Sequence, residues 1–253
     1  MKGKRVLITG GGSGIGLALA KAASHRGASV VITGRNVDKL DRAAAGDDRI
    51  EGRVCDVTDD SAVTALRNEL AATGGVDVLV NNAGIARFFD ITTLHPLEEQ
   101  QQEVDTNIMG PITMIQRFLP DMLDRDSMIV NISSGLAFIP LAAAPVYSGT
   151  KAFLHAYTRC LRTQLRETSV RVVEVLPPVV ATPMIESVEM DGIKAMDPAE
   201  FADEVFRGLD RNRELILPGM TSRLRLMNRV APEFAYNQLN RAPLPNAGSG
   251  AEG

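Results

Sequence analysis

A phenol and an ammonium stand four residues apart in Tyr147-Ser148-Gly149-Thr150-Lys151, a spacing that puts both on one face of a helix. A free tyrosine titrates near 10, too high for efficient proton transfer at neutral pH. A neighbouring cation favours the phenolate, so Lys151 is expected to lower the Tyr147 pKa and make it a usable acid and base. Such a pair also occurs on ordinary helix faces, and its surroundings must argue for more. Thirteen residues before the tyrosine, Val130-Asn131-Ile132 runs into Ser133-Ser134. An apolar strand ending there would bring a hydroxyl to the carboxyl edge of a sheet, where open α/β folds bind ligands.

A second cluster suits a phosphate. Thr9-Gly10-Gly11-Gly12-Ser13-Gly14-Ile15-Gly16 follows the apolar run Arg5 to Thr9 and opens a helical pattern. There a dinucleotide pyrophosphate can meet free backbone N–H groups and the positive end of a helix dipole. Gly10, Gly14 and Gly16 are spaced GxxxGxG rather than GxGxxG, and a simple glycine-rich turn is the bland alternative. With no Gly-Lys-Ser/Thr after it, a P-loop is excluded. The next strand ends in Thr33-Gly34-Arg35-Asn36. No carboxylate stands there to hold a ribose hydroxyl, whereas the Arg35 guanidinium matches a 2′-phosphate. NADP(H) is therefore expected in preference to NAD(H), unless Arg35 is merely an exposed loop residue.

These groups need a scaffold. Short β-branched runs recur at Arg5 to Thr9, Ser29 to Thr33, Ile50 to Cys55, Val76 to Asn81, Met128 to Ser133, Val170 to Leu176 and Glu214 to Leu217. Helical patterns lie between them at Ile15 to Arg26, Ser61 to Ala72, Leu97 to Leu123, Val146 to Glu167 and Pro198 to Asp210. This alternation predicts βαβ units on a parallel sheet. Val30-Val31-Ile32 and Val78-Leu79-Val80 lack a period of two, as strands covered on both faces do. The expected fold is a three-layer, doubly wound Rossmann-type α/β sandwich. Its domain spans 1–242, with a substrate loop at about 182–197, a C-terminal extension at about 218–242 and a disordered tail at 243–253.

Bulk properties narrow the partners. The 253 residues are 45% hydrophobic and 23% charged, enough for one large domain. A net charge of -4 with scattered Lys and Arg argues against nucleic acid. No stretch nears the roughly 18 apolar residues of a membrane helix, and Met1 runs directly into the first strand pattern. Cys55 and Cys160 lie far apart without zinc-type spacing, so no metal site is expected and reduced thiols in a cytoplasm fit.

Taken in order, the motifs resemble those of the classical short-chain dehydrogenase/reductase family over residues 4–220. They are Thr9 to Gly16, Asp56-Val57, Asn81-Asn82-Ala83-Gly84, Asn107, Ser134 and Tyr147 to Lys151. The resemblance implies seven strands in order 3-2-1-4-5-6-7 and roles for each motif. Gly10, Gly12, Ser13, Gly14, Ile15 and Gly16 hold the pyrophosphate, and Asp56 and Val57 meet the adenine. Asn82, Ala83 and Gly84 line the cofactor while the Asn81 to Gly84 motif braces the sheet, and Asn107 holds a water leading from Lys151 to solvent. Ser134, rather than Ser133, has the family's separation from the tyrosine. Hydride then passes between nicotinamide and a carbonyl or alcohol, with Tyr147 moving the proton, Ser134 bonding the oxygen and Lys151 also holding the ribose.

The family's Pro-Gly and threonine match here as Pro177-Pro178-Val179-Val180-Ala181-Thr182. Pro177, Val180 and Thr182 are carried over as cofactor contacts, while Pro178 in place of glycine stiffens that backbone. Ser133 to Phe138 with Pro140, the double proline and Ala231-Pro232-Glu233-Phe234 are similar to the DltE-type branch. The family also implies a homodimer or homotetramer.

Other residues are weaker candidates. Phe88, Leu136, Phe138 and Met184, with Phe89 and Met190, could line an apolar substrate pocket, although such residues are commonly core. His25, His95 and His155 are dispersed, and Asp59-Asp60-Ser61 reads as a helix cap. Two alternatives to the catalytic reading are a non-catalytic NADP-binding sensor or scaffold and a nucleotide-sugar epimerase or dehydratase. The latter would need a larger C-terminal domain than the residues after Thr182 provide.

Overall fold

The computed structural model describes residues 1–93, 95–185, 194–241 and 244. Seven strands, β1 (Arg5–Thr9), β2 (Ser29–Gly34), β3 (Ile50–Val54), β4 (Val78–Asn81), β5 (Ser127–Ile132), β6 (Val170–Val175) and β7 (Leu215–Ile216), form one sheet. Its order is β3-β2-β1-β4-β5-β6-β7, and the pairings throughout are parallel. Helices cover both faces, giving the doubly wound arrangement expected.

Side-chain alternation explains the three layers. Val6 and Ile8 point into a core shared with Leu19, Val205 and Phe201. Leu7, between them, points into a second core with Leu66, Phe118 and Leu161. A strand buried on both faces has no polar side, hence the unbroken apolar runs.

The helices are α1 (Gly14–His25), α2 (Val37–Ala44), α3 (Asp60–Ala72), α4 (Leu97–Val104), α5 (Gly110–Met122), α6 (Pro145–Gln164), α7 (Pro198–Asp210), α8 (Thr221–Val230) and α9 (Pro232–Leu239). Two follow their starting signals closely. Asp59 caps α3 by accepting from the N–H of Ser61 and Ala62 at 2.9 and 3.2 Å. Asp197 does the same for Ala199 and Glu200 at 2.8 and 3.1 Å, ahead of Pro198.

Elsewhere the structure corrects the sequence reading. The long helix expected over 97–123 is divided by a π-helical turn, Asp105–Met109, between α4 and α5. Pro111 lacks an N–H, so the Asn107 carbonyl loses its usual i+4 donor there. Gly110 packs so closely on Val57 that a Cβ would lie 2.7 Å from its Cγ2. The short helix α2 was not anticipated, and the C-terminal extension forms α8 and α9. Met190, half of the expected substrate loop and nearly all of the expected tail lie outside the described residues.

Candidate functional site

Register brings the strand ends together. Ile8 lies beside Val80, Asn81 beside Asn131, and Ile132 beside Val175. Thr9, Asn82, Ser134 and Pro177 therefore emerge along one carboxyl edge.

At β1 the glycine loop turns back on itself. Gly10 and Gly14 have φ of +66° and +52°, a region that favours glycine. A Cβ on Gly16 would lie 2.3 Å from the Gly10 oxygen and 2.6 Å from Asn82 Nδ2. Asn82 Nδ2 donates to the carbonyls of Thr9 and Gly10 at 2.9 and 3.2 Å. In return, Thr9 Oγ1 accepts from the N–H groups of Asn82 and Ala83, both at 3.0 Å. Asn81 donates to Asn131 Oδ1 at 2.8 Å, and Asn131 donates to Thr158 Oγ1 at 2.9 Å. The Asn81 to Ala83 stretch is thus a brace between β1, β4, β5 and α6. Ser13 is exposed and makes no side-chain cap bond to α1. Among the described residues, the first-turn amides of Gly14, Ile15 and Gly16 have no capping side chain, the condition an anion needs at a helix N-terminus. Thr182 closes over this loop, since a Cβ on Gly14 would be 3.2 Å from its side chain.

Around β2 the charges are mixed. Arg35 is exposed, with Nη1 4.0 Å from Asp56 Oδ2. Asp56 also accepts from the Thr58 N–H and hydroxyl at 3.0 and 2.8 Å, and Val57 is buried beside it. Lys39, overlooked in the sequence, lies on α2 against the glycine loop, where a Cβ on Gly12 would be 3.3 Å from its Cβ. A dinucleotide's phosphates would therefore meet a bare helix start, close-packed glycines and two nearby cations, so the residues present fit such a cofactor.

Beyond β5 the two serines separate. Ser133 is buried and donates to the Lys151 carbonyl at 3.2 Å, which fastens α6 to the sheet. Ser134 accepts from the Leu136 N–H at 3.1 Å, and its hydroxyl lies close enough to the Tyr147 phenol to oppose the rise in its pKa. Tyr147 and Lys151 share one face of α6, with Lys151 Nζ 5.4 Å from the phenol ring centre.

The expected depression of the Tyr147 pKa is not found. Burial pushes the phenol up to about 12, against a lowering by Ser134, and the Glu103 carboxylate raises it further. Lys151, almost wholly buried, is driven down to about 8 by desolvation, and its ammonium donates to the Ile132 carbonyl at 2.9 Å. The cation is therefore spent partly on a backbone oxygen, and desolvation outweighs its pull on the phenol.

Asn107 lies in the π turn, fully buried. Its Nδ2 donates to the Ile85 carbonyl at 2.8 Å and to Thr150 Oγ1 at 3.1 Å, while its Oδ1 accepts from the Ile85 N–H at 3.0 Å. It links the segment after Gly84 to α6. Glu103, one turn earlier on α4, is also fully buried. Desolvation raises its carboxyl to about 7, opposed by a backbone bond from Arg87 and by the charges of Arg87 and Lys151. Sequence inspection passed over it, although its spacing from Asn107 places both on one helix face.

After β6, Pro177 accepts from the Gly135 N–H at 3.0 Å. Pro178 offers no N–H, and bridging begins just beyond it. Met196 donates to the Val179 carbonyl at 2.9 Å, and Ala181 donates to Met196 at 2.9 Å. Val180 is buried in this staple.

The apolar candidates scatter. Leu136 is half-buried on a 3-10 turn, Gly135–Ala137. Phe138 packs edge-on against His155 at 5.3 Å and beneath Arg225. Phe88 is half-buried, Phe89 is core and stacks on His95, and Met184 is exposed. His155 itself is bound to the buried Glu174 carboxylate at 2.9 and 3.0 Å.

Comparison with known proteins agrees with this architecture. Residues 4–192 match the family described as short chain dehydrogenase. An uncharacterized oxidoreductase of Bacillus subtilis, DltE, is 36% identical over 95% of this chain and 98% of its own length. A short chain dehydrogenase from Burkholderia cenocepacia in complex with NADP superposes with a TM-score of 0.84 at 24% identity, covering 96% of this chain and 99% of that one. A Burkholderia phymatum relative in complex with NAD gives 0.82 at 23%, covering 97% and 98%. At those identities the two structures speak for the fold, while the family match and the Bacillus relative speak for descent. The chain belongs to the short-chain dehydrogenase/reductase family of oxidoreductases, in its DltE-type branch.

Proposed function

We propose that the protein is an NADP(H)-preferring enzyme that interconverts a small carbonyl compound and its alcohol, with Tyr147 as proton donor and acceptor. The observation that carries this reading is the convergence of Ser134, Tyr147 and Lys151 at the carboxyl edge of β5, next to the glycine loop. Gly10, Gly12, Ser13, Gly14, Ile15 and Gly16 would hold the pyrophosphate, and Arg35, supported by Lys39, the 2′-phosphate. Asp56 and Val57 would hold the adenine, and Asn82 to Gly84, Pro177, Val180 and Thr182 the nicotinamide half. When bound, that dinucleotide supplies or accepts the hydride.

This chain's own residues then handle the oxygen. With its pKa near 12, the Tyr147 phenol is protonated at neutral pH, the state a proton donor to a nascent alkoxide requires. Ser134 donates a hydrogen bond to the same oxygen. The Lys151 ammonium lies behind the phenol and restores its proton. Asn107 keeps α4, α6 and the segment after Gly84 in register. This arrangement favours the reductive direction, because oxidation must first remove a proton held so firmly.

On this reading the enzyme works in the cytoplasm as a homodimer or homotetramer. Exposed apolar side chains on the outer helices, Leu97, Met109, Leu123 and Phe153, support the assembly.

The test is a screen of ketones, aldehydes and alcohols for Tyr147-dependent consumption or formation of NADPH. Tyr147→Phe should keep cofactor binding and lose about 10²- to 10⁴-fold in turnover. Full turnover in that variant overturns the mechanism, and tight cofactor binding without any turnover favours a sensor.

A further inference from the structure

Glu103 is a buried carboxyl with no part in the mechanism above. Its Oε1 accepts from the Arg87 backbone N–H at 3.3 Å, and its Oε2 has no hydrogen-bond partner among the described residues. An apolar side chain would fill the same space without the cost of hiding an ionisable group. Its chemistry therefore sets it apart from the residues packed around it.

Its surroundings lead to Lys151. Glu103 and Asn107, on successive turns of one helix face, fasten the Ile85 to Arg87 stretch to that helix. Just before the stretch, a Cβ on Gly84 would lie 3.2 Å from Asn107 Oδ1 and 3.6 Å from Lys151 Nζ. Helix α4 packs directly on α6. Among the described residues, the charged and titratable groups facing Glu103 are Arg87 from the segment after β4, and Lys151 and Tyr147 from α6. On its own helix, Glu99 lies one turn back toward the surface. It meets Arg87 Nε at 3.4 Å and His95 Nε2 at 3.5 Å, and it is partly exposed. Glu103 thus lies between the Tyr147 and Lys151 pair, whose charges it feels across the α4–α6 contact, and the partly exposed Glu99, Arg87 and His95 group.

We propose that Glu103 is a positioning residue that resupplies the catalytic proton through Lys151. The inference rests on the reading of Tyr147 as the acid. After Tyr147 protonates the substrate oxygen, an N–H of Lys151 breaks and the phenol O–H reforms. The Glu103 carboxyl O–H then breaks as an N–H forms on Lys151, with one solvent water carrying the proton across, since no direct hydrogen bond joins the two side chains among the described residues. The resulting carboxylate takes a proton from solvent on the Glu99 and His95 side, so one proton enters for each oxygen protonated. Burial supports the exchange by bringing the partners close in acidity, Glu103 up to about 7 and Lys151 down to about 8.

The test uses the full chain with Glu103→Gln and Glu103→Asp. Carbon-13 NMR of the lysine ε-carbons, with Lys151→Met to assign the signal, follows Lys151 without substrate. Its midpoint should fall by on the order of one pH unit in Glu103→Gln and largely recover in Glu103→Asp. An unmoved midpoint in the Gln variant overturns the relay and leaves the proposed function standing. With a substrate turned over in a Tyr147-dependent way, Glu103→Gln should lower kcat on the order of tenfold with KM held. The fall in kcat as pH rises through 7 should vanish, and the solvent deuterium isotope effect should grow. A wild-type profile and isotope effect in the Gln variant overturn the relay, whereas full turnover in Tyr147→Phe overturns the proposed function and the relay with it.

Discussion

Glu103→Gln should make the protein more stable at pH 7.5 than the parent, by an amount that disappears in acid. Burial raises this carboxyl from its ordinary 4.5 to about 7 in the folded protein. Between those values the unfolded chain is ionised while the folded one stays protonated. The stabilising neutral form is fully present below pH 4.5 and is lost as the pH rises through 7. The full displacement is worth about 3 kcal/mol, most of it falling between pH 5 and 7.5. Lys151 behaves in the opposite sense, with a folded pKa near 8 against 10.5. Its contribution is present above pH 10.5 and is lost as the pH falls through 8, so both charges are buried together between 7 and 8. The Gln variant removes one of them but leaves the ammonium without its carboxylate, which trims the gain to about 2 kcal/mol. For a chain of this size that raises Tm by about 4–8 °C. Thermal melts of both proteins at pH 5 and 7.5 measure it. A Gln variant equally destabilised at both pH values would refute the reasoning, because the carboxylate would then be held by its neighbours rather than opposed by burial.

Gly16→Ala should weaken NADPH binding at least about tenfold, since its Cβ would meet the Gly10 oxygen and Asn82 at 2.3 and 2.6 Å. Fluorescence titration of the reduced cofactor reads this directly, and undiminished affinity would show that the loop can relax. Arg35→Asp should cut the preference for NADP(H) over NAD(H) by more than about tenfold; an unchanged ratio of Michaelis constants removes Arg35 from phosphate recognition. His155→Leu should cost about 3 kcal/mol in urea unfolding, because it leaves the fully buried Glu174 carboxylate unpaired. Pairing it with Glu174→Leu should recover much of that loss, and additive losses would contradict the pairing.

The layered architecture was legible in the sequence because it rests on local pattern. A strand covered on both faces has to be apolar throughout, as Val78-Leu79-Val80 is, and crossover helices must intervene between parallel strands. Strand order came instead from the ordered motifs and the family they resemble. The first-turn proline Pro198 placed the start of α7, whereas α2 escaped notice because it is short and half charged. The π turn escaped as well, for it depends on Pro111 and on the fit of Gly110 to Val57.

Residue type and spacing likewise named the glycines, Tyr147 and Lys151, since four residues apart on a helix means one face in any fold, while the family resemblance chose Ser134 over Ser133. What those groups do electrically was beyond the sequence. Whether an ammonium lowers a phenol depends on how much water each has lost and on what else the ammonium binds. Only the packing of α4 and α6 over β5 decides that Lys151 turns to the Ile132 carbonyl, that Tyr147 rises instead of falling, and that Glu103 enters their field.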